Sequence, residues 1–145
     1  MKLELQCGFL VSQIKQISGR IFERLLVNSG IEAFNGAQGR ILYVLWQNDG
    51  VPIVTLAQET GLAKTTLTSM LDRMESSGLI TRVFDKADRR QIRISLTEKA
   101  RELEDDFEKV SDQMNEIYYE GLTKEEIKTF EKILLKILSN LNKKE

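Results

Sequence analysis

Residues 60–77, TGLAKTTLTSMLDRMESS, decide the fold. Leu62, Leu67, Leu71 and Met74 recur there at helical spacing, with Met70 beside them. Lys64, Thr65, Thr68, Ser69, Asp72 and Arg73 fall between. A helix with that spacing buries the first set and turns the second outward. The outward set mixes short hydroxyl side chains with two cations, which match base edges and phosphate oxygens. A merely solvated helix would carry long charged side chains instead. Just upstream, Leu56 to Thr60 makes a short helical piece that stops at Gly61. Two helices joined across a tight turn are a helix-turn-helix.

The chain beyond this run extends the pattern. Gly78 is placed to end the second helix as its C-terminal glycine. Leu79 to Phe84 reads as a strand, DKADRR as a charged turn, and Gln91 to Leu96 as a returning strand with Ile92, Ile94 and Leu96 alternating. Such a hairpin is marginal alone and must lean on the helices. Helix, helix and a hairpin tipped with arginines make a winged helix. The expected class is therefore mainly α with a small β-hairpin wing (α+β).

On the N-terminal side, Leu5, Phe9, Leu10, Ile14, Ile17, Ile21 and Leu25 predict a long helix from about Leu3 to Asn28. Asn28-Ser29-Gly30 breaks it and Asn35-Gly36 is the next turn signal. Ala37 to Asn48 forms a second helix with Ile41, Leu42, Leu45 and Trp46 inward. Val51-Pro52-Ile53 is expected to add a short third strand. On the C-terminal side, Thr97 is a good N-cap for a helix carrying Leu103, Phe107, Val110, Met114 and Ile117. Thr123 to Glu126 reads as a capping box, followed by Ile127, Phe130, Leu134, Ile137 and Leu141. These heptad-like seams suit packing between helices, within the chain or between two chains. A winged helix is complete without the N-terminal stripe, which favours the second choice. The expected organisation is a winged helix-turn-helix at 36–97 and a helical dimerisation region formed by 1–30 and 98–145.

Charge and composition narrow the function. The net charge of −1 argues against a protein that coats nucleic acid indiscriminately. Charge is nonetheless uneven: residues 61–93 hold seven cations against four carboxylates, while 98–145 hold thirteen carboxylates against nine cations. A locally basic patch on a neutral chain fits selective binding of a polyanion. The chain lacks histidine and has one cysteine, Cys7, so neither metal chemistry nor an internal disulfide is supported. Neither an independent acid pair nor a glycine-rich phosphate loop suggests an enzyme. No cofactor is expected. The chain shows neither a membrane span nor a signal peptide, which makes the cytoplasm the simplest location.

The string GLAKTTLTSMLDRMESSGLITRVFDKADRRQIRISLTEKA resembles the DNA-binding core of the MarR family of transcription regulators. The family's DxR element at the wing tip corresponds to Asp88-Arg89-Arg90, and its Leu-Thr-Glu helix start to Leu96-Thr97-Glu98. The resemblance is strong over residues 37–103. It implies a homodimer built from the N-terminal and last two helices, and Arg90 inserted into a minor groove with Asp88 orienting the wing. It also implies a response to a small, often anionic aromatic effector. Phe22, Phe34, Tyr43, Trp46 and Tyr118 are candidates to line such a site, although each also reads as core. One branch of the family senses organic peroxides through a first-helix cysteine activated by tyrosines. Cys7 matches that cysteine's territory, but Phe22 and Phe34 stand where the tyrosines are expected, and Tyr43 comes later.

The candidate DNA-binding residues follow from both readings. Lys64, Thr65 and Thr66 open the second helix, where the positive helix end attracts phosphate. Thr68, Ser69, Asp72 and Arg73 are candidates for the groove face, with Thr66 and Asp72 equally suited to capping or a local ion pair. Lys86, Asp88, Arg89 and Arg90 belong to the wing, though all but Arg90 also fit a solvated turn. Two such helices in a dimer would enter successive major grooves about 34 Å apart and call for an inverted repeat of double-stranded DNA. The competing class is a winged helix used to dock protein, which would need neither the arginines nor the hydroxyl-rich face.

Overall fold

A computed structural model describes residues 4–145, so Leu3, the expected start of the first helix, lies outside the described residues. The element order is α1 (Cys7–Asn28), α2 (Gly36–Gln47), β1 (Val51–Pro52), α3 (Ile53–Thr60), α4 (Lys64–Ser76), β2 (Ile80–Phe84), β3 (Ile92–Leu96), α5 (Glu98–Arg101), α6 (Glu104–Tyr118) and α7 (Lys124–Asn142). The chain forms two compact units, one ending at Ser111 and the other spanning Asp112–Glu145.

In the first unit the sheet order is β1-β3-β2, antiparallel throughout. Ile80 faces Leu96, Arg82 faces Ile94 and Phe84 faces Ile92, which sets one face of the hairpin on the helices. The core joins Ile41, Leu42 and Leu45 of α2, Leu56 of α3, and Leu67, Leu71 and Met74 of α4 to Leu79, Ile80 and Ile94 of the wing, all buried. This is the stripe expected from the sequence, now closed on both sides. Gly61 joins α3 to α4 at φ +72°, a left-handed conformation that suits a residue without Cβ. Thr60 Oγ1 donates to the Leu56 carbonyl at 2.7 Å, closing α3 from its own side chain. After α4, Ser77 N–H donates to Arg73, Gly78 N–H to Glu75 and Leu79 N–H to Met74, with Gly78 at φ +80°. Gly78 thus ends the helix in the way its position predicted.

Several boundaries move. Leu62 precedes α4, which starts at Lys64, and Ile53 belongs to α3 rather than to β1. The single helix expected after Thr97 is broken. Thr97 caps α5, accepting from the Ala100 N–H, but the chain turns at Glu102-Leu103 before α6 begins. The Ala100 carbonyl explains the break: it accepts from Leu103 N–H at 3.2 Å and from the indole Nε1 of Trp46 at 3.0 Å. A side chain that takes a helical carbonyl interrupts the regular ladder. Trp46 is accordingly half-buried, its ring in the core and its N–H satisfied.

α1 leaves much of its apolar stripe open, with Phe9, Leu10, Ile14 and Ile17 exposed. In the second unit, Thr123 and Glu126 form the expected capping box on α7. Tyr119 Oη donates to Glu131 Oε2 at 2.6 Å, and its ring meets Phe130 edge-on. Phe130, Ile133, Leu134, Leu138 and Leu141 of α7 are exposed.

Candidate nucleic-acid interface

α2, α5 and α7 begin under a side-chain cap, from Asn35, Thr97 and Thr123 respectively. α4 does not. Its N-cap is Ala63, which offers no side-chain acceptor to the first turn. The N–H groups of a helix's first turn have no intrahelical partner and carry the positive end of the helix dipole. Lys64, Thr65 and Thr66 therefore surround an end suited to an anion. The remaining α4 candidates, Thr68, Ser69, Asp72 and Arg73, are exposed as well, while Leu67, Leu71 and Met74 on the other side are buried. Thr68 Oγ1 donates to the Lys64 carbonyl at 2.9 Å, so its oxygen turns lone pairs outward.

Asp72 has a local partner. Its Oδ1 accepts from Arg82 at 2.8 Å, and Glu75 Oε1 accepts from the same guanidinium at 2.8 Å. Of the roles open to Asp72, the local ion pair is the one formed here.

The wing is pinned by a second arginine. Arg93 Nε donates to Asp85 Oδ2 at 2.8 Å and its Nη1 to the Gly50 carbonyl at 2.8 Å. Asp85 also accepts from the Ala87 N–H at 2.8 Å. That backbone bond, then Arg93, holds the Asp85 carboxyl below the usual carboxylate range. At the tip, Asp88 Oδ1 accepts from Arg90 N–H at 3.1 Å and from Arg90 Nε at 3.2 Å. Asp88 thereby orients Arg90, while the Arg90 side chain stays 92% exposed. Lys86 and Arg89 are exposed too.

The seven cations of residues 61–93 sort into two groups. Arg82 is held by Asp72 and Glu75, and Arg93 by Asp85, in ion pairs within the chain. Lys64, Arg73, Lys86 and Arg89 make no ion pair among the described residues, and Arg90 pairs only with its own turn. Counting charge along the sequence did not separate these groups. The roles of Arg82, Asp85 and Arg93 were missed. One signal was present: Asp72 and Glu75 are three apart on a helix and so share a face.

The aromatic residues considered for an effector site divide. Phe22, Phe34, Tyr43 and Trp46 pack around Phe107 with ring centroids 5.1–6.2 Å from its own. Phe34 is buried, but Tyr43 is half-exposed, and so is Tyr118, which faces Tyr119 in the second unit. Their reading as plain core fails for these two. A shallow cavity of about 190 Å³ involves Tyr43 with Val44, Gln47, Asn48, Val51, Thr55 and Glu59. Cys7 is exposed in the first turn of α1. Among the described residues there is no cluster of metal ligands, and no helix is long and apolar enough to cross a membrane.

A helix-turn-helix followed by a three-stranded wing places the chain among the winged-helix proteins. The sequence model of the MarR family matches residues 34–92. An organic hydroperoxide resistance transcriptional regulator of Bacillus subtilis (strain 168) is 33% identical over 147 residues, covering 99% of this chain and 95% of that protein. The chain belongs to the MarR family. The HTH-type transcriptional regulator TtmR of Methylorubrum extorquens (strain PA1) is 34% identical over 101 residues, which are 70% of this chain and only half of TtmR's length. Among solved structures, a mutant MarR from E. coli complexed with operator DNA superposes with a TM-score of 0.82 at 24% identity, covering 92% of this chain and 94% of the other. At that identity the match speaks for the fold. The relatives are transcriptional regulators rather than enzymes.

Proposed function

We propose that this protein is a cytoplasmic, sequence-specific repressor of transcription that binds an inverted-repeat operator as a homodimer and responds to a small effector. The observation that carries the reading is the uncapped start of α4 together with the exposed cations Lys64 and Arg73 of that helix and Lys86, Arg89 and Arg90 of the wing. Lys64, Thr65 and Thr66 hold phosphate at the helix end, Thr68, Ser69 and Arg73 meet base edges, and Arg89 and Arg90 enter the neighbouring minor groove. Lys86 adds a phosphate contact, Asp88 aims Arg90, and Asp72 acts through its ion pair. The dimerisation region is 1–30 together with 98–145, since α1 and α7 both carry exposed apolar stripes. The E. coli MarR in complex with operator DNA supports the DNA partner by likeness.

The test is gel-shift binding to duplex DNA flanking the protein's own coding region, over a salt series with random duplex as competitor. Tight binding that falls steeply with salt and resists the competitor is expected. Arg90→Ala should weaken operator binding by about 1–3 kcal/mol and leave the dimer intact. Unchanged affinity in that variant would overturn the wing assignment. An absence of binding to any duplex at low salt would favour the protein-docking class.

A second reading has its own support, the hydroperoxide-resistance relative that matches along nearly the whole chain and the exposed Cys7. In that reading an organic hydroperoxide oxidises the Cys7 thiolate to a sulfenic acid and leaves as the alcohol, and the DNA is released. Cys7→Ser would then bind DNA normally and ignore the hydroperoxide. Release by hydroperoxide from that variant excludes the role.

A further inference from the structure

Arg82 sits in the middle of β2, opposite Ile94 of β3, and on the same strand face as buried Ile80. From there its guanidinium reaches α4 and spans two carboxylates, Nη2 to Asp72 and Nη1 to Glu75, each at 2.8 Å. A planar fork with donors in fixed directions suits this double grip; an ammonium does not. The Arg82 side chain is only 20% exposed, against 67% for Asp72 and 45% for Glu75. The cation is therefore inside the contact and the two acids are exposed, Asp72 at i+4 from Thr68 and i+3 from Ser69 and so on the face of α4 that carries these hydroxyls. Both acids lie on the helix that the function proposed above sends into the major groove. Unmasked, they would repel the phosphates on either side of it.

We infer that Arg82 is a positioning and charge-masking residue for DNA binding, which neutralises Asp72 and Glu75 on the recognition helix and fixes the wing against that helix without touching DNA. The inference rests on the DNA-binding reading. It makes Arg82 different in kind from Arg90 and Arg73, although all three are arginines of one basic segment. A phosphate ligand contributes to the salt dependence of binding, one counterion for each contact. A masking residue changes affinity and leaves that slope in place.

The experiment is a double-mutant cycle on the full chain with operator and random duplex, each over a salt series. Arg82→Ala should weaken binding to both duplexes by about tenfold or more, with the slope against salt unchanged. In the Asp72→Asn/Glu75→Gln background, where nothing is left to mask, the same substitution should cost about twofold or less. Amide hydrogen exchange in the free protein supplies a readout independent of DNA: the β2–β3 amides should open faster in Arg82→Ala than in the unaltered chain. An equal loss in both backgrounds, or a slope lower by about 1, would make Arg82 a direct DNA contact and overturn the inference. Unaltered affinity in Arg82→Ala would overturn it as well. Failure of the unaltered chain to bind any duplex would overturn the DNA-binding reading and the masking role together. If Arg82→Ala does not fold, Arg82→Lys replaces it, with a smaller loss expected in the same direction.

Discussion

α4 and α7 read alike in sequence and end differently in the structure. Each carries apolar residues at helical spacing and polar residues between them. In α4 the stripe of Leu67, Leu71 and Met74 is fully buried against α2, α3 and the wing. In α7 no residue is buried, and Leu134, Leu135, Leu138 and Leu141 remain 40–67% exposed. Periodicity says which face of a helix is apolar; it does not say whether the same chain supplies the cover. An exposed apolar stripe of this length marks an interaction surface, and a second copy of the chain is the partner proposed for it.

The largest effect should therefore come from α7. Replacing Leu134 and Leu138 together by glutamate places charges in the proposed seam, where nothing compensates them. Sedimentation should show the unaltered chain as a dimer and the variant as a monomer. Operator affinity should fall about a hundredfold, because the two half-sites are no longer bound as one unit. An unaltered chain that sediments as a monomer would remove the distinction drawn between the two helices.

The matching change in α4 acts on the fold. Leu71→Ala deletes a buried isopropyl group in the middle of the core and should lower unfolding stability by about 2–5 kcal/mol. Denaturant titration measures this directly. A loss below about 1 kcal/mol would mean that the site collapses around the smaller side chain. Assembly at saturating concentration should persist in that variant, the reverse of the α7 result.

The winged helix was legible because its signals are local: Gly61 and Gly78 at the turns, and Leu67, Leu71 and Met74 at helical steps of four and three. The break at Glu102-Leu103 was not, because its cause is an indole N–H arriving from Trp46, far away in sequence. Nor did charge along the chain reveal that Arg82 and Arg93 are held within the fold while Arg89 and Arg90 project from it. That division depends on strand register, which sets Arg82 beside Ile94 and Val83 beside Arg93. Candidate DNA contacts on α4 were readable as a face, since a helix repeats regularly. Those of the wing needed the turn geometry of Asp85 and Asp88, where single hydrogen bonds decide direction.

The smallest effect tests what steadies the second unit beside α7's exposed stripe. Tyr119 donates to the Glu131 carboxylate, and that bond, helped by partial burial, pushes the phenol up to about 12. Ionisation would set a phenolate against a carboxylate. A phenol whose value is raised on folding adds stability that is full below about 10, its ordinary value, and is lost as pH climbs through about 12. Tyr119→Phe removes this contribution, so the stability difference between the two proteins should be largest at neutral pH and vanish above pH 12. Its size should be about 0.5 kcal/mol, since water screens a pair near the surface. Phenolate absorbance gives the sharper reading: a late ionisation near pH 12 in the unaltered chain should be missing from Tyr119→Phe. Persistence of that step would assign it to another tyrosine. The second unit would then be left with the aromatic contacts of Tyr119 to Phe130 and Tyr118, and with the capping box at Thr123 and Glu126, among its local ties.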